Sequence, residues 1–273
     1  MVREYVNQDL YSIRDKVKNN YNKKGLTPHV IRIFQKIIYE YYHAHGRFFP
    51  WRVTHNPYHI LVSEIMLQQT STQRVQEKYE VFIEQYPDFT TLAHASLPSI
   101  LNHWQGLGYN RRALYLKKIA EMVITRLRGK FPRDEKSLQA LPGIGPYTAA
   151  AICAFAFNQP TVLLETNIQS VYIYFFFENQ KNIKDSDLHP FIKKTHGNPS
   201  RKSSHYTKQS PFENSNRQLR GLILRVLLED TSLTLAQLSK KTNTSPDRLL
   251  HVLFQLEKEG FIQRTKKAFT LSS

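Results

Sequence analysis

Leu141-Pro142-Gly143-Ile144-Gly145-Pro146-Tyr147-Thr148-Ala149-Ala150-Ala151 sets two glycines in a tight turn between an apolar segment and an alanine-rich run. Glycine permits positive backbone angles and lets a phosphodiester approach the main chain, and Pro146 is preset for the first turn of a helix. The amides that open this helix, at the positive end of its dipole, form an anion site without any charged side chain. Gly143, Gly145 and Thr148 are therefore candidate DNA contacts. The same turn also suits a ligand-free corner between two helices, and the hairpin alone leaves both readings open.

Composition points the same way. A formal net charge of +16, from 38 Lys plus Arg against 22 Asp plus Glu, exceeds what solubility requires and favours a polyanionic partner. No long uncharged apolar run and no signal-peptide pattern occurs, so the expectation is a soluble, cytoplasmic, nucleoid-associated monomer with no membrane partner. The one cysteine, Cys153, excludes a disulfide within the chain and a thiolate metal cluster. No set of His, Cys and carboxylate residues has the spacing of a catalytic metal site.

Outward from the hairpin, helical periodicity dominates and the chain is expected to be mainly α. Residues 1–27 are polar and basic and read as a short helix or, preferably, an arm that touches phosphate. Apolar positions recur from Val30 to Tyr42, and Gly46 closes that helix before the loop Phe48-Phe49-Pro50-Trp51-Arg52. The next helix starts near Pro57-Tyr58, with Leu61, Val62, Ile65 and Met66 as its apolar stripe and Glu64 and Gln68 one turn apart on another face. A carboxylate in so apolar a segment stands out. A second, Glu165, follows the apolar run Thr161 to Leu164 on the far side of the hairpin.

From Thr195 to Asn216 the chain turns to Ser, Asn, Lys, Arg and His and reads as a basic linker. Helices are then expected over 217–228, near 235–241 and from Ser245-Pro246 to Gly260, followed by a hairpin with a basic tip over 261–271. That is the order of a winged helix, used on duplex DNA or for packing against protein. The expected division is an arm over 1–27, a catalytic domain over 28–194, a linker over 195–216 and a winged helix over 217–273.

Taken together, Pro50-Trp51-Arg52, Ser63-Glu64-Ile65-Met66-Leu67-Gln68-Gln69-Thr70, Gly106-Leu107-Gly108-Tyr109, Leu141 to Thr148 and Glu165-Thr166-Asn167 resemble the MutY-type adenine DNA glycosylases of the helix-hairpin-helix superfamily. The resemblance runs in order through residues 30–177. It implies a helix-hairpin-helix glycosylase fold and a double-stranded DNA partner carrying a mispaired or damaged base. Hydrolysis of a purine glycosidic bond needs an acid for the leaving base and a carboxylate for the sugar cation. The resemblance assigns these roles to Glu64 and Glu165, and burial of Glu64 in an apolar helix is expected to keep its proton available.

Tyr147 stands where bifunctional relatives such as endonuclease III carry the lysine that forms a Schiff base, so base removal without strand cleavage is expected. Tyr147 resembles the tyrosine that assists the second carboxylate in some adenine glycosylases, although it also reads as packing, and Asn167 matches their active-site asparagine. Gln69 and Tyr109 match the side chains that fill the gap left by a flipped base, and Arg52 would line the pocket mouth. For Tyr109 and Arg52, a core aromatic and a surface charge are the competing readings. A structural Na+ or K+ on the carbonyls of Gln139, Leu141 and Ile144 is implied by the same likeness.

The chain also departs from the family. Glu165 stands where the family has an aspartate, and its extra methylene leaves an altered or attenuated activity open. With one cysteine, the iron–sulfur cluster common in the family is not expected, and a domain that senses 8-oxoguanine is not recognised. The span from Glu165 to Asn198 is short, and the junction His189-Pro190-Phe191-Ile192-Lys193-Lys194 is expected to lack a helix that packs on the catalytic core. Excision of thymine, uracil or hypoxanthine, and a catalytically weak DNA-binding protein, remain beside the adenine reading.

Overall fold

The computed structural model describes residues 14–177, 182–195, 214–265 and 268–272. Helices α1 (residues 14–24), α2 (Pro28–His45), α3 (Pro57–Leu67), α4 (Thr72–Gln85), α5 (Phe89–His94), α6 (Leu97–Trp104) and α7 (Arg111–Thr125) lead to the hairpin. There α8 (Glu135–Gln139) turns into α9 (Pro146–Phe157). Helices α10 (Thr166–Phe176) and α11 (Asp185–Thr195) follow. Then come α12 (Asn216–Glu229), α13 (Leu235–Thr242), α14 (Pro246–Lys258) and strands β1 (Ile262–Arg264) and β2 (Phe269–Leu271). The fold is mainly α, as expected.

The chain forms two compact units that cut across its linear order, one from Met1–Phe48 with Gln159–Lys208 and one from Phe49–Asn158 with Gln209–Ser273. The boundaries 28–194 and 217–273 expected from the sequence therefore do not coincide with the units. Composition marks a linker, but only packing decides which segments share a core.

In the first unit, Phe34 of α2 packs its ring on Tyr172, Phe175 and Phe176 of α10 at centroid distances of 5.4, 5.2 and 5.3 Å. The expected basic arm is corrected for its described part: residues 14–24 are helical, Val17 is fully buried, and Tyr21 meets Phe176 edge-on at 5.2 Å. The apolar residues Val17 and Tyr21, one turn apart, outweigh the surrounding lysines. At the His189 junction a helix is present, α11, which runs through Pro190 and packs on α2 and α10. Asp185 and Asp187 lie in its first turn, where the helix dipole favours acids, and Gln169 Nε2 donates to Asp185 Oδ1 at 3.1 Å. Most of the basic linker, with the phosphate contacts expected of it, lies outside the described residues.

In the second unit, α3 is the axis. Tyr58 and every residue from Ile60 to Met66 are buried, because α3 packs against α9, α4 and α7. The polar face expected for Glu64 does not exist, and Gln68 caps the C-terminus of the helix instead. The winged-helix segments take their expected order, with β1 and β2 antiparallel and Ile262 opposite Leu271. Lys266 and Lys267, the basic tip, lie outside the described residues. Leu219, Ile223, Leu253 and Phe261 belong to the same apolar cluster as Leu61, Ile65 and Trp104, so the winged helix continues the core of this unit.

A charged cluster also ties it there. Arg220 Nη2 of α12 donates to Glu259 Oε2 at 2.5 Å, and Arg111 at the start of α7 pairs with Glu259 Oε1. Burial pulls the Glu259 carboxyl up, but the two guanidinium groups prevail and hold it below the usual glutamate value. A depressed carboxylate contributes stability above its unfolded pKa and loses it as pH falls through the folded one. The melting temperature of the parent chain should therefore exceed that of Glu259→Gln at neutral pH, with the gap closing below about pH 4. Thermal melts across pH check this, and a gap independent of pH would dismiss the ion-pair account.

Candidate active site and DNA-binding hairpin

The hairpin is built around one left-handed glycine. Gly143 has φ of 77°, and a Cβ there would come within 2.4 Å of Tyr115 Cδ2, so conformation and space both demand glycine. Gly145 is different. Its φ of −86° suits any residue, and a Cβ there would meet nothing within 4 Å. The positive angle expected of both glycines is needed only at Gly143, while Gly145 leaves the N-terminus of α9 uncovered. That terminus has Pro146 at N1, no acidic residue in its first turn and no side-chain cap among the described residues. By contrast, Thr27, Asn56, Asp88, Ser96 and Asp134 cap their helices. An uncapped helix end with an exposed glycine is suited to an anion supplied from outside.

Gln68 and Thr148 also have internal partners. Gln68 Nε2 donates to the Gly143 carbonyl at 3.1 Å and to Thr148 Oγ1 at 3.2 Å, and Thr148 is 5% exposed. The pair staples the hairpin to the end of α3. Of the three carbonyls expected to hold a cation, that of Leu141 accepts the Ile144 amide at 3.3 Å, a long bond that leaves a lone pair.

Glu64 is 8% exposed, flanked along α3 by Ser63 at 1% and by Ile65 and Met66 at 0%. Tyr147 is half-buried at the start of α9, the helix packed on α3. Arg52 is exposed, its guanidinium 5.1 Å from the Phe49 ring centroid. Phe49 in turn stacks on the buried Trp51 at 4.9 Å. In the other unit, Glu165 is the N-cap of α10 and is held by Asn167: its Oε2 accepts the Asn167 amide at 3.0 Å and its Oε1 accepts Asn167 Nδ2 at 2.7 Å. Short acids are the usual N-caps. The longer Glu165 folds back on its own helix, and both of its oxygens are engaged.

Gln69 and Tyr109, the expected wedge residues, are both left-handed, with φ of 55° and 49°. Such angles are strained for residues with a side chain and survive only where neighbours impose them. The neighbour is Arg112, which sequence reasoning did not single out. It is 5% exposed, and its Nη1 donates to the carbonyls of Ile65, Met66 and Gln68 at 3.0, 2.6 and 2.6 Å. Its Nη2 donates to Thr70 Oγ1 and to the carbonyls of Leu107 and Gly108 at 2.9, 3.1 and 3.0 Å. One guanidinium thus caps α3 and holds both wedge loops. Burial lowers its pKa to about 10, which leaves it charged at neutral pH. The available signal was the pair Arg111-Arg112 between a glycine-rich loop and an apolar helix.

The description "HhH-GPD superfamily base excision DNA repair protein" matches residues 62–194, and "Winged helix-turn-helix DNA-binding" matches residues 217–263. An adenine DNA glycosylase of Buchnera aphidicola subsp. Baizongia pistaciae is 41% identical over 151 residues, covering 55% of this chain and 43% of that protein. A thymine/uracil-DNA glycosylase of Methanothermobacter thermautotrophicus is 32% identical over 153 residues, covering 56% of this chain and 69% of that protein. The solved structure of a thermostable thymine-DNA glycosylase superposes with a TM-score of 0.52 at 32% identity, over 59% of this chain and 73% of that one. The chain thus spans less than half the length of the Buchnera relative. Among the described residues no helix is long and apolar enough to cross a membrane. The matched motifs, the hairpin and the shared fold agree: the chain belongs to the HhH-GPD superfamily of base excision DNA repair proteins.

Proposed function

We propose that the chain is a monofunctional DNA N-glycosylase that takes a mispaired base, adenine in the first instance, out of the duplex and hydrolyses its glycosidic bond. The observation that carries this reading is Glu64: a carboxyl at 8% exposure in an otherwise apolar helix that packs on the hairpin helix. The hairpin amides and the basic surface hold the phosphates. Gln69 and Tyr109 fill the gap, and Arg52 would line the mouth of the base pocket.

Glu64 protonates a ring nitrogen of the base as the bond to the sugar C1′ breaks, so the bond electrons leave with a neutral base. Glu165 stabilises the resulting oxocarbenium ion, and Asn167 fixes the direction of its carboxylate. Water adds its hydroxyl to C1′ and gives its proton to a carboxylate, leaving an abasic site. Tyr147 offers no amine for a Schiff base, so the strand stays intact. The carbonyls of Gln139, Leu141 and Ile144 would hold a monovalent cation, which would add positive charge at the phosphate-facing turn.

Two observations favour other readings. The thymine/uracil-DNA glycosylase is covered over more of its length than the adenine relative. Both oxygens of Glu165 are engaged by Asn167, which fits slow turnover in a protein that mainly binds DNA. Single-turnover assays on A opposite 8-oxoguanine, A opposite G, T opposite G, U opposite G and hypoxanthine opposite T separate these outcomes. The adenine reading expects abasic sites in the adenine strands alone. Abasic sites in the T or U strands alone would replace adenine with a pyrimidine.

A further inference from the structure

We propose that the winged helix serves as a brace for the wedge loop, with Arg217 as the positioning residue for Tyr109. This rests on the reading of Tyr109 as the side chain that fills the gap beside a flipped base. Arg217 Nη1 donates to Tyr109 Oη at 2.9 Å, and its guanidinium carbon lies 5.5 Å from the ring centroid. Arg112 approaches the same ring at 5.4 Å while holding the Gly108 carbonyl. Trp104 Nε1 donates to that carbonyl as well, at 3.1 Å. The loop before Tyr109 is thus fixed from within the helical core, and the tyrosine tip is fixed from α12.

Arg217 is badly placed for its own helix. It sits in the first turn of α12, where the helix dipole disfavours a cation. It is well placed for Tyr109. Two residues beyond that tyrosine, Arg111 meets Glu259, which also holds Arg220, so α12 and the end of α14 are both fastened beside the wedge loop.

The alternative use of α14, reading bases in a major groove, is poorly supported by its surface. Its exposed face mixes Asp247 and Glu257 with Arg248, His251 and Lys258 and with two apolar side chains, Phe254 at 66% and Leu250 at 39%. The middle of this face is apolar, Leu250 and Phe254 offer no donor to base edges, and Arg248 Nη2 is already given to the Asn214 carbonyl at 2.5 Å. The fold built for DNA reading thus grips the protein's own wedge.

The test compares the full chain with Arg217→Ala, Arg217→Lys, Tyr109→Phe and the double variant Arg217→Ala/Tyr109→Phe. Two readouts are used: hydrogen exchange of the amides at 106–112, and fluorescence of 2-aminopurine opposite G in a duplex as it leaves the stack. Arg217→Ala is expected to speed exchange in the loop and to lower the flipping signal, each by roughly tenfold, with duplex affinity within about threefold. Lysine should restore a large part of the signal. The double variant should be no worse than the worse single one, because both remove the same contact.

Unchanged exchange and flipping in Arg217→Ala, or losses that multiply in the double variant, would overturn the brace. Should Arg217→Ala loosen α12 to α14 as a whole, Tyr109→Phe decides, since it removes only the acceptor: a rise confined to 106–112 supports the proposal and no rise refutes it. A parent chain that excises nothing would defeat the glycosylase reading, while the exchange comparison would still decide the brace.

Discussion

Glu64→Gln is expected to bind a mispaired duplex within about threefold of the parent chain and to lower single-turnover excision by roughly 10²–10⁴-fold, the range of a general acid. Glutamine keeps the shape of glutamate, so the buried surface of α3 keeps its packing while the transferable proton is lost. The hairpin contacts reside in backbone amides that this change does not touch. The comparison that checks it is titration of a labelled duplex beside the single-turnover rate. Equal losses in binding and excision would make Glu64 a structural residue of α3.

Arg112→Met is expected to destabilise the fold by about 3–5 kcal/mol, the usual consequence of deleting one side of a buried charged hydrogen-bond network. Methionine matches the length of the aliphatic stem but leaves the carbonyls of Ile65, Met66, Gln68, Leu107 and Gly108 without the donor that joins them. Ile65 and Met66 belong to the last turn of α3, where carbonyls have no partner within the helix. At roughly 2–4 °C per kcal/mol for a unit of this size, melting should fall by about 6 °C or more. Calorimetry checks this, and a fall of only about 1 °C would show that the loops hold themselves.

The helical order, the hairpin and the winged helix were legible because each rests on a local signal. Pro and Gly punctuate the helix ends at Gly46, Pro57 and Pro146, and apolar spacing marks the faces of α2 and α12. The residue types at 64, 147, 165 and 167 were legible as an ordered motif. What sequence did not disclose depends on packing between distant segments. The partners of the Gln68 amide, Gly143 and Thr148, lie 75 and 80 residues away and leave no local mark. Arg112 and Arg217 gain their meaning from carbonyls and a phenol supplied by other loops. The two compact units escaped notice for the same reason: the chain leaves one core at Phe48 and returns to it at Gln159, and no composition shift marks either point.

The most direct test of the central claim is single-turnover incubation of the full chain with a duplex carrying A opposite G, split into halves with and without alkali before strands are separated. Base excision without lyase chemistry predicts cleavage at the adenine position only after alkali, and none after alkali with Glu64→Gln. Tight, salt-sensitive binding with no alkali-labile site on this duplex or on any other of the panel would contradict it, leaving a DNA-binding protein whose glycosylase site does not turn over.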